Sequence, residues 1–155
     1  MTSHLTLEHV GVSRAHALLG GSMSALAPLR AAPGWPHADS MDGIRVSIGD
    51  AKNDEDTPLL AVLDGEVIGE GGWKGGLSPD GVAEIGYGLA VPYRGLGLGT
   101  QLVGLLTAWV LDQPGATRVV AEVLADNLPS RRALERNGYV LTHTDEPYVW
   151  YAFPP

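Results

Sequence analysis

Residues 82–113 constrain the fold more than any other part of this chain. "VAEIGYGLAV" (82–91) is an apolar run of strand length, closed by Pro92. "TQLVGLLTAWVLDQ" (100–113) carries Leu102, Leu105, Leu106 and Trp109 at i, i+3, i+4 and i+7, the spacing of a helix with one buried face. Between the two stand Gly95, Gly97 and Gly99, separated by single leucines. Alternate glycines strip side chains from one side of the backbone. A glycine turn leading into a helix offers unpaired N–H groups and a partial positive charge to an anion, phosphate above all. Taken alone, such glycines are better explained by a tight strand–helix turn. Two familiar phosphate loops are excluded by spacing. A dinucleotide fingerprint starting at Gly95 would need glycine where Thr100 stands, and a P-loop would need a lysine, which this loop lacks.

Local signals order the rest of the chain around this unit. Residues 5–10 alternate as a first strand, and 13–19 read as a short helix with Ser13 as its cap and Gly20-Gly21 as its stop. Pro28, Pro33 and Pro36 reduce the next stretch to a helix fragment and a loop. Met41, Ile44 and Ile48 share one face of a helix within 39–51, weakened by Gly43. Residues 58–74 read as a hairpin around Asp64-Gly65, a dipeptide suited to positive backbone angles. Residues 117–125 form a strand rich in β-branched side chains. Residues 127–139 form a compact helix, capped by Asn127, with Pro129 in its first turn and Asn137-Gly138 at its end. Two closing strands follow, at 139–144 and 148–153. This order predicts an α/β fold, a single domain over 1–155 with a mixed central sheet of about six to seven strands flanked by about four helices.

Composition narrows the function. The 155 residues contain no cysteine. That removes disulfides, thiolate metal sites and a cysteine nucleophile from this chain, and it fits a cytoplasmic setting. The histidines show no metal-binding spacing, so no metal is expected. No secretory signal pattern opens the chain, and no run approaches the roughly 20 apolar residues of a membrane span, so no membrane role is expected. The net charge of −8 argues against nucleic acid as a partner. The acidic excess lies before the glycine loop and suits a cationic partner, while the later arginines suit an anionic one.

The glycine loop and the later helix together carry a resemblance. Arg94-Gly95-Leu96-Gly97-Leu98-Gly99 matches R/Q-x-x-G-x-G/A. "NLPSRRALERNGY" (127–139) matches an N-x-x-S helix ending in N-G-F/Y through Asn127, Ser130, Gly138 and Tyr139. With both motifs at this separation, the chain resembles the GNAT N-acetyltransferase superfamily, in particular its RimJ/RimL-like branch, similar to the ribosomal-protein N-acetyltransferases. The likeness is tight over 82–140, looser over 58–74 and generic before that. It implies an acetyl-coenzyme A-dependent N-acetyltransferase in which the strands at 82–91 and 117–124 splay apart into a cofactor cleft.

The resemblance also implies roles. The main chain of Leu89, Ala90 and Val91 pairs with pantetheine amides as an added strand would. The amides of Arg94, Gly95, Leu96, Gly97, Leu98, Gly99 and Thr100 cradle the pyrophosphate. Asn127 hydrogen-bonds pantetheine, Ser130 approaches the sulfur, and Arg131 or Arg132 reaches a cofactor phosphate. Attack of an amine on a thioester needs a base, a polarised carbonyl and an acid for the thiolate. Without cysteine, direct attack in a ternary complex is expected. Glu84, alone in an apolar strand, is the first candidate for the base and Glu122 the second, with a structural role open for each. The N–H near Val91 is the candidate for polarising the carbonyl. Several relatives place an acidic tyrosine where this chain has Leu134, and Ser130 is its substitute.

Trp35, His37, Trp73, Glu84 and Tyr148 are the acceptor-binding candidates, the aromatics as walls for a cation. A packing role for Trp35 is equally open. The expected acceptor is an amine-bearing small molecule or a protein N-terminus, and a homodimer fits the family. A non-catalytic acyl-coenzyme A-binding or sensor domain is the alternative, and a longer acyl group a further one.

Overall fold

The computed structural model describes residues 4–49 and 51–155. Among them, eight strands and four α-helices make an α/β fold with both parallel and antiparallel pairing. The helix count is as expected, and the strands exceed the expectation by at least one. The chain divides into two compact units: residues up to Gly72 with Tyr87–Arg94, and Trp73–Gly86 with Gly95–Pro155.

In the first unit, β1 (Leu5–His9) pairs antiparallel with β3 (Leu59–Leu63), and β3 with β4 (Glu66–Lys74). The β3–β4 turn is the expected two-residue one, with Asp64 at φ 51° and Gly65 at φ 78°. The additional strand is β2 (Arg30–Ala31), in parallel register with Glu66 and Val67. Sequence reading left these residues in a proline-broken loop. The amides of Arg30 and Ala32 find acceptors in the carbonyls of Gly65 and Val67, and that demand for backbone partners draws the loop onto β4. The helix fragment before it is a single 3-10 turn, Met23–Leu26.

Two helices complete the core of this unit. α1 (Val12–Leu19) and α2 (Ser40–Ile48) contribute Ala15, Leu18 and Ile44, which are buried with Leu26, Trp35, Leu60, Val67 and Ala90. α1 starts two residues earlier than a cap at Ser13 predicts. Gly11, at φ 85°, is its N-cap, and Asp54 Oδ1 accepts the Val12 N–H at 2.9 Å. The capping oxygen therefore comes from a distant loop, a supply no local pattern reveals. Asp50, inside the stretch expected to be helical, lies outside the described residues.

β4 carries an irregularity that matters for the site. Ala61 pairs with Gly69 and Val62 with Val67, so Ile68 is an extra, bulged residue. Its carbonyl accepts the Ala90 N–H at 2.8 Å. A side chain at Gly69 would collide with the Gly88 carbonyl of β5 (Val82–Leu89). β4 and the end of β5 thus lie closer than any residue but glycine permits at that point.

In the second unit, the start of β5 pairs parallel with β6 (Arg118–Leu124). β6 pairs antiparallel with β8 (Tyr148–Phe153), and β8 with β7 (Val140–Asp145). Burial alternates along these strands: Ala83, Ile85, Val119, Ala121, Val123, Val149 and Tyr151 are buried. α3 (Leu98–Leu111) packs on β6 and on α4 (Leu128–Arg136). It buries Leu102, Val103, Leu106, Thr107 and Val110, a wider face than the spacing of leucines suggested, while Leu105 and Trp109 lie at its margin.

Candidate functional site

The glycine loop is held in the conformation its sequence demands. Gly95 has φ 77°, and Gly97, the N-cap of α3, sits in the left-handed region at φ 80°, ψ 0°. A Cβ at either position would meet no atom within 4 Å. These glycines therefore answer to backbone conformation rather than to crowding, and the space beside them is open. α3 begins at Leu98, not Thr100, so Leu98, Gly99 and Thr100 form its first turn. Their N–H groups precede the first intrahelical bond, from Gln101 N–H to the Gly97 carbonyl at 3.3 Å. Leu98 is buried and anchors the turn, while Leu96 is 66% exposed.

The second motif braces the first. Asn137 Nδ2 donates to the Thr100 carbonyl at 2.9 Å and to the Ala133 carbonyl at 2.7 Å. Tyr139, 3% exposed, places its hydroxyl 2.6 Å from Thr107 Oγ1 on α3. The end of α4 thus grips the helix that presents the glycine loop.

At the end of β5, in the first unit, the Ala90 N–H is taken by Ile68. Val91 begins a 3-10 turn, and its carbonyl accepts the Arg94 N–H at 3.1 Å. The Leu89 carbonyl accepts Arg94 Nε at 2.9 Å, so Arg94 closes the 3-10 turn Val91–Tyr93 with its own side chain. In the second unit, the start of β5 pairs with β6 as Val82↔Arg118, Ala83↔Val119 and Glu84↔Val120.

Trp35 and His37 converge on a residue that sequence reading missed. Glu70, 8% exposed on β4, accepts Trp35 Nε1 on Oε1 at 3.2 Å and meets His37 Nε2 with Oε2 at 3.0 Å. Gly88 lies against this group: a Cβ there would stand 2.9 Å from Glu70 Oε2 and from the His37 ring. A usable signal existed. Glu70 interrupts "VIGEGGW" as Glu84 interrupts "VAEIGYG", and a lone carboxylate in an apolar strand needs partners.

In the second unit, Glu84 forms an ion pair with Lys74, Nζ to Oε2 at 2.9 Å. Glu84 pairs with Val120, and Glu122 pairs with Trp150, which pairs with His143. Strand alternation places Glu84, Glu122, Trp150 and Tyr148 on one face. The His143 ring stacks on Trp150, centroids 5.6 Å apart and planes 8° from parallel. Tyr148 is 38% exposed at the end of β8. Trp73 goes elsewhere: next to Lys74 on the strand, it faces the opposite way and packs on Trp109 of α3, centroids 4.8 Å apart.

α4 carries the remaining candidates. Asn127 Oδ1 accepts the Ser130 N–H at 3.3 Å as the expected cap. Arg131 is anchored within the fold, Nε donating to the Tyr151 hydroxyl at 2.9 Å and Nη1 to the Ala125 carbonyl at 2.8 Å. The bond to Tyr151 raises its pKa from the ordinary value, against a smaller opposing effect of desolvation. Leu134 is fully buried. Among the described residues, no three His, Asp or Glu side chains gather as a metal site, and no helix is long and apolar enough to cross a membrane.

Residues 24–140 match the family described as Acetyltransferase (GNAT) domain. The chain is 26% identical over 125 residues to "Uncharacterized N-acetyltransferase YjdG" of Bacillus subtilis (strain 168), covering 77% of this chain and 74% of that protein. The solved GNAT domain of S. lividans PAT is similar at 23% identity and a TM-score of 0.55, over 63% of this chain and 59% of that one. This chain therefore spans less than two thirds of that structure. AAC(6')-Ib in complex with ribostamycin and coenzyme A is similar at 20% identity and a TM-score of 0.60, over 96% of this chain and 92% of that one. The same protein with parmomycin and acetyl-coenzyme A gives 20% and 0.62. At these identities the structural likeness is one of fold.

Proposed function

The chain belongs to the GNAT acetyltransferase domain family, and we propose that it is an acetyl-coenzyme A-dependent N-acetyltransferase acting on the primary amine of a small molecule, with a protein N-terminus as the alternative acceptor. The observation that carries this is the loop at Gly95 and Gly97, both at positive φ and opening directly into the first turn of α3. That arrangement suits a pyrophosphate. The open space beside both glycines fits the cofactor as well.

The bound cofactor supplies an acetyl group activated as a thioester. This chain's residues hold and orient it. The amides from Arg94 to Thr100 receive the pyrophosphate. Leu89 pairs with pantetheine through its main chain, with the Ala90 N–H fixed on β4 beside it. Asn127 uses Oδ1 to cap α4, and its amide NH2 donates to pantetheine. The Val91 N–H polarises the acetyl carbonyl, and the Ser130 hydroxyl supplies a proton to the sulfur. Arg131 is left out of the cofactor set, because Tyr151 and Ala125 hold its guanidinium. Glu84 and Glu122, the carboxylates considered for the base, stand on one face with Trp150 and Tyr148. We assign them to attracting the acceptor's positive charge, since Glu84 already pairs with the Lys74 ammonium.

Acetyl-coenzyme A at millimolar concentration raises the melting temperature of the native protein by mass action. Release of free thiol is then followed across a panel of amino sugars, polyamines and N-terminal peptides. Absence of any thermal shift overturns the reading. A shift without thiol release from any amine moves the chain to the acyl-coenzyme A-binding sensor class.

A further inference from the structure

We infer that His37 and Glu70 form a proton-accepting dyad for the acceptor amine, His37 taking the proton and Glu70 holding the imidazole ready to take it; the inference rests on the acetyltransferase reading. The geometry lies within one unit of the fold. Glu70 offers both carboxylate oxygens, one to the Trp35 indole at 3.2 Å and one to His37 Nε2 at 3.0 Å. The indole N–H can only donate, so the carboxylate accepts from it. The other oxygen accepts from Nε2, and in the neutral ring that places the single proton on Nε2. The lone pair is then on Nδ1, which has no hydrogen-bond partner among the described residues. A carboxylate behind an imidazole fixes both tautomer and ring orientation and steadies the imidazolium that follows.

The backbone that carries the ring is held too. The His37 main-chain N–H donates to Ser40 Oγ at 3.1 Å, and the Ser40 N–H returns to the His37 carbonyl at 3.0 Å. Ser40 is fully buried. The ring and Glu70 rest against Gly88, where a Cβ would stand 2.9 Å from both. Gly88 directly precedes Leu89–Val91, the segment assigned to pantetheine and to the acetyl carbonyl. The imidazole is thus beside the strand end where an amine would meet the thioester. A carboxylate–imidazole pair as shielded as this one contributes little to stability over apolar packing, so stability alone gives little reason for it.

The step balances. His37 Nδ1 takes one proton from the acceptor ammonium and later releases it to solvent. The neutral amine nitrogen forms the new C–N bond as the C–S bond breaks; the Ser130 hydroxyl gives its proton to the departing thiolate and takes a second proton from that nitrogen in its place. His37 is the catalytic residue and Glu70 the positioning residue.

Glu70→Gln is the informative variant, because it preserves shape. The Trp35 indole keeps the amide oxygen, which leaves the amide NH2 facing His37 Nε2. Nε2 must then accept, the ring proton moves to Nδ1, and the base is blocked. Long-range proton–nitrogen NMR on isotope-labelled protein reads the tautomer without turnover. It is expected to show Nε2–H in the native protein and Nδ1–H in Glu70→Gln. His37→Gln and Glu70→Gln are both expected to keep the acetyl-coenzyme A thermal shift and the acceptor KM while kcat falls about 100-fold, the scale of general-base catalysis. A native ring protonated on Nδ1 overturns the dyad. So does a native kcat in Glu70→Gln, or a loss confined to KM in His37→Gln. If His37→Gln fails to fold, Glu70→Gln decides. Failure of the native protein to shift with acetyl-coenzyme A overturns the acetyltransferase reading itself, whereas a native shift with unaffected kcat in the variants overturns the dyad alone.

Discussion

The side-chain amide of Asn137 donates to the carbonyl of Thr100 at 2.9 Å, tying the end of α4 to the first turn of α3. A second bond from the same nitrogen, to Ala133 at 2.7 Å, fixes the amide in place. A Cβ at Gly104 would come within 3.0 Å of Asn137 Oδ1, so the two helices meet closely here. The motif at 127–139 therefore does more than present Asn127 and Ser130: its far end holds the helix that the glycine loop enters.

Asn137→Ala removes both bonds and leaves partly buried carbonyls with weaker partners. Unfolding free energy from urea denaturation is expected to fall by about 1–3 kcal/mol. The acetyl-coenzyme A thermal shift is expected to shrink in parallel, because the first turn of α3 loses its brace. A variant as stable as the native protein would show that the contact is incidental.

Gly97→Val tests the loop's conformation. Gly97 lies at φ 80°, where a β-branched residue is strained whatever the space around it. Differential scanning fluorimetry is expected to show a lower melting temperature and no response to acetyl-coenzyme A. A retained response would mean that the loop does not contact the cofactor.

Gly88→Ala tests the packing of the buried cluster. Its Cβ would press on Glu70 Oε2 and the His37 ring at 2.9 Å. Overpacking of this kind costs about 1–3 kcal/mol. Thermal denaturation reads that loss, and the His37 imidazole resonances are expected to move with it. An unchanged melting temperature together with unmoved resonances would contradict the packing described.

Glu84→Gln separates charge attraction from proton transfer. The Lys74–Glu84 pair is partly exposed, so stability is expected to change by less than about 1 kcal/mol. A hydrogen bond to a charged group is worth about 1.5–3 kcal/mol, so KM for a cationic acceptor is expected to rise about tenfold or more, with kcat little changed. A fall in kcat at constant KM would instead make Glu84 the base.

The sequence by itself determined those elements whose signals are local. The two-residue turn at Asp64-Gly65, the Asn127 cap, the helix stop at Gly138 and the strand–glycine–helix unit all depend on backbone angles or caps that neighbouring residues dictate; the turn, the cap and the stop are where the spacing placed them, and α3 begins two residues before Thr100. The resemblance from which a cofactor role for the loop is proposed was legible for the same reason, since its motif is read from consecutive residues. What depends on distant partners was decided only by the tertiary structure. Asp54 caps α1 in place of Ser13, the amides of Arg30 and Ala32 seek carbonyls near the β3–β4 turn, and Trp73 packs on Trp109 although it had been read as an acceptor wall. Glu70 is the clearest case. Its carboxylate sits in an apolar strand far in sequence from Trp35 and His37, and only folding brings their donors to its two oxygens. Hydrogen-bond partners of a buried group are chosen by where the chain crosses itself, and no residue spacing encodes that crossing.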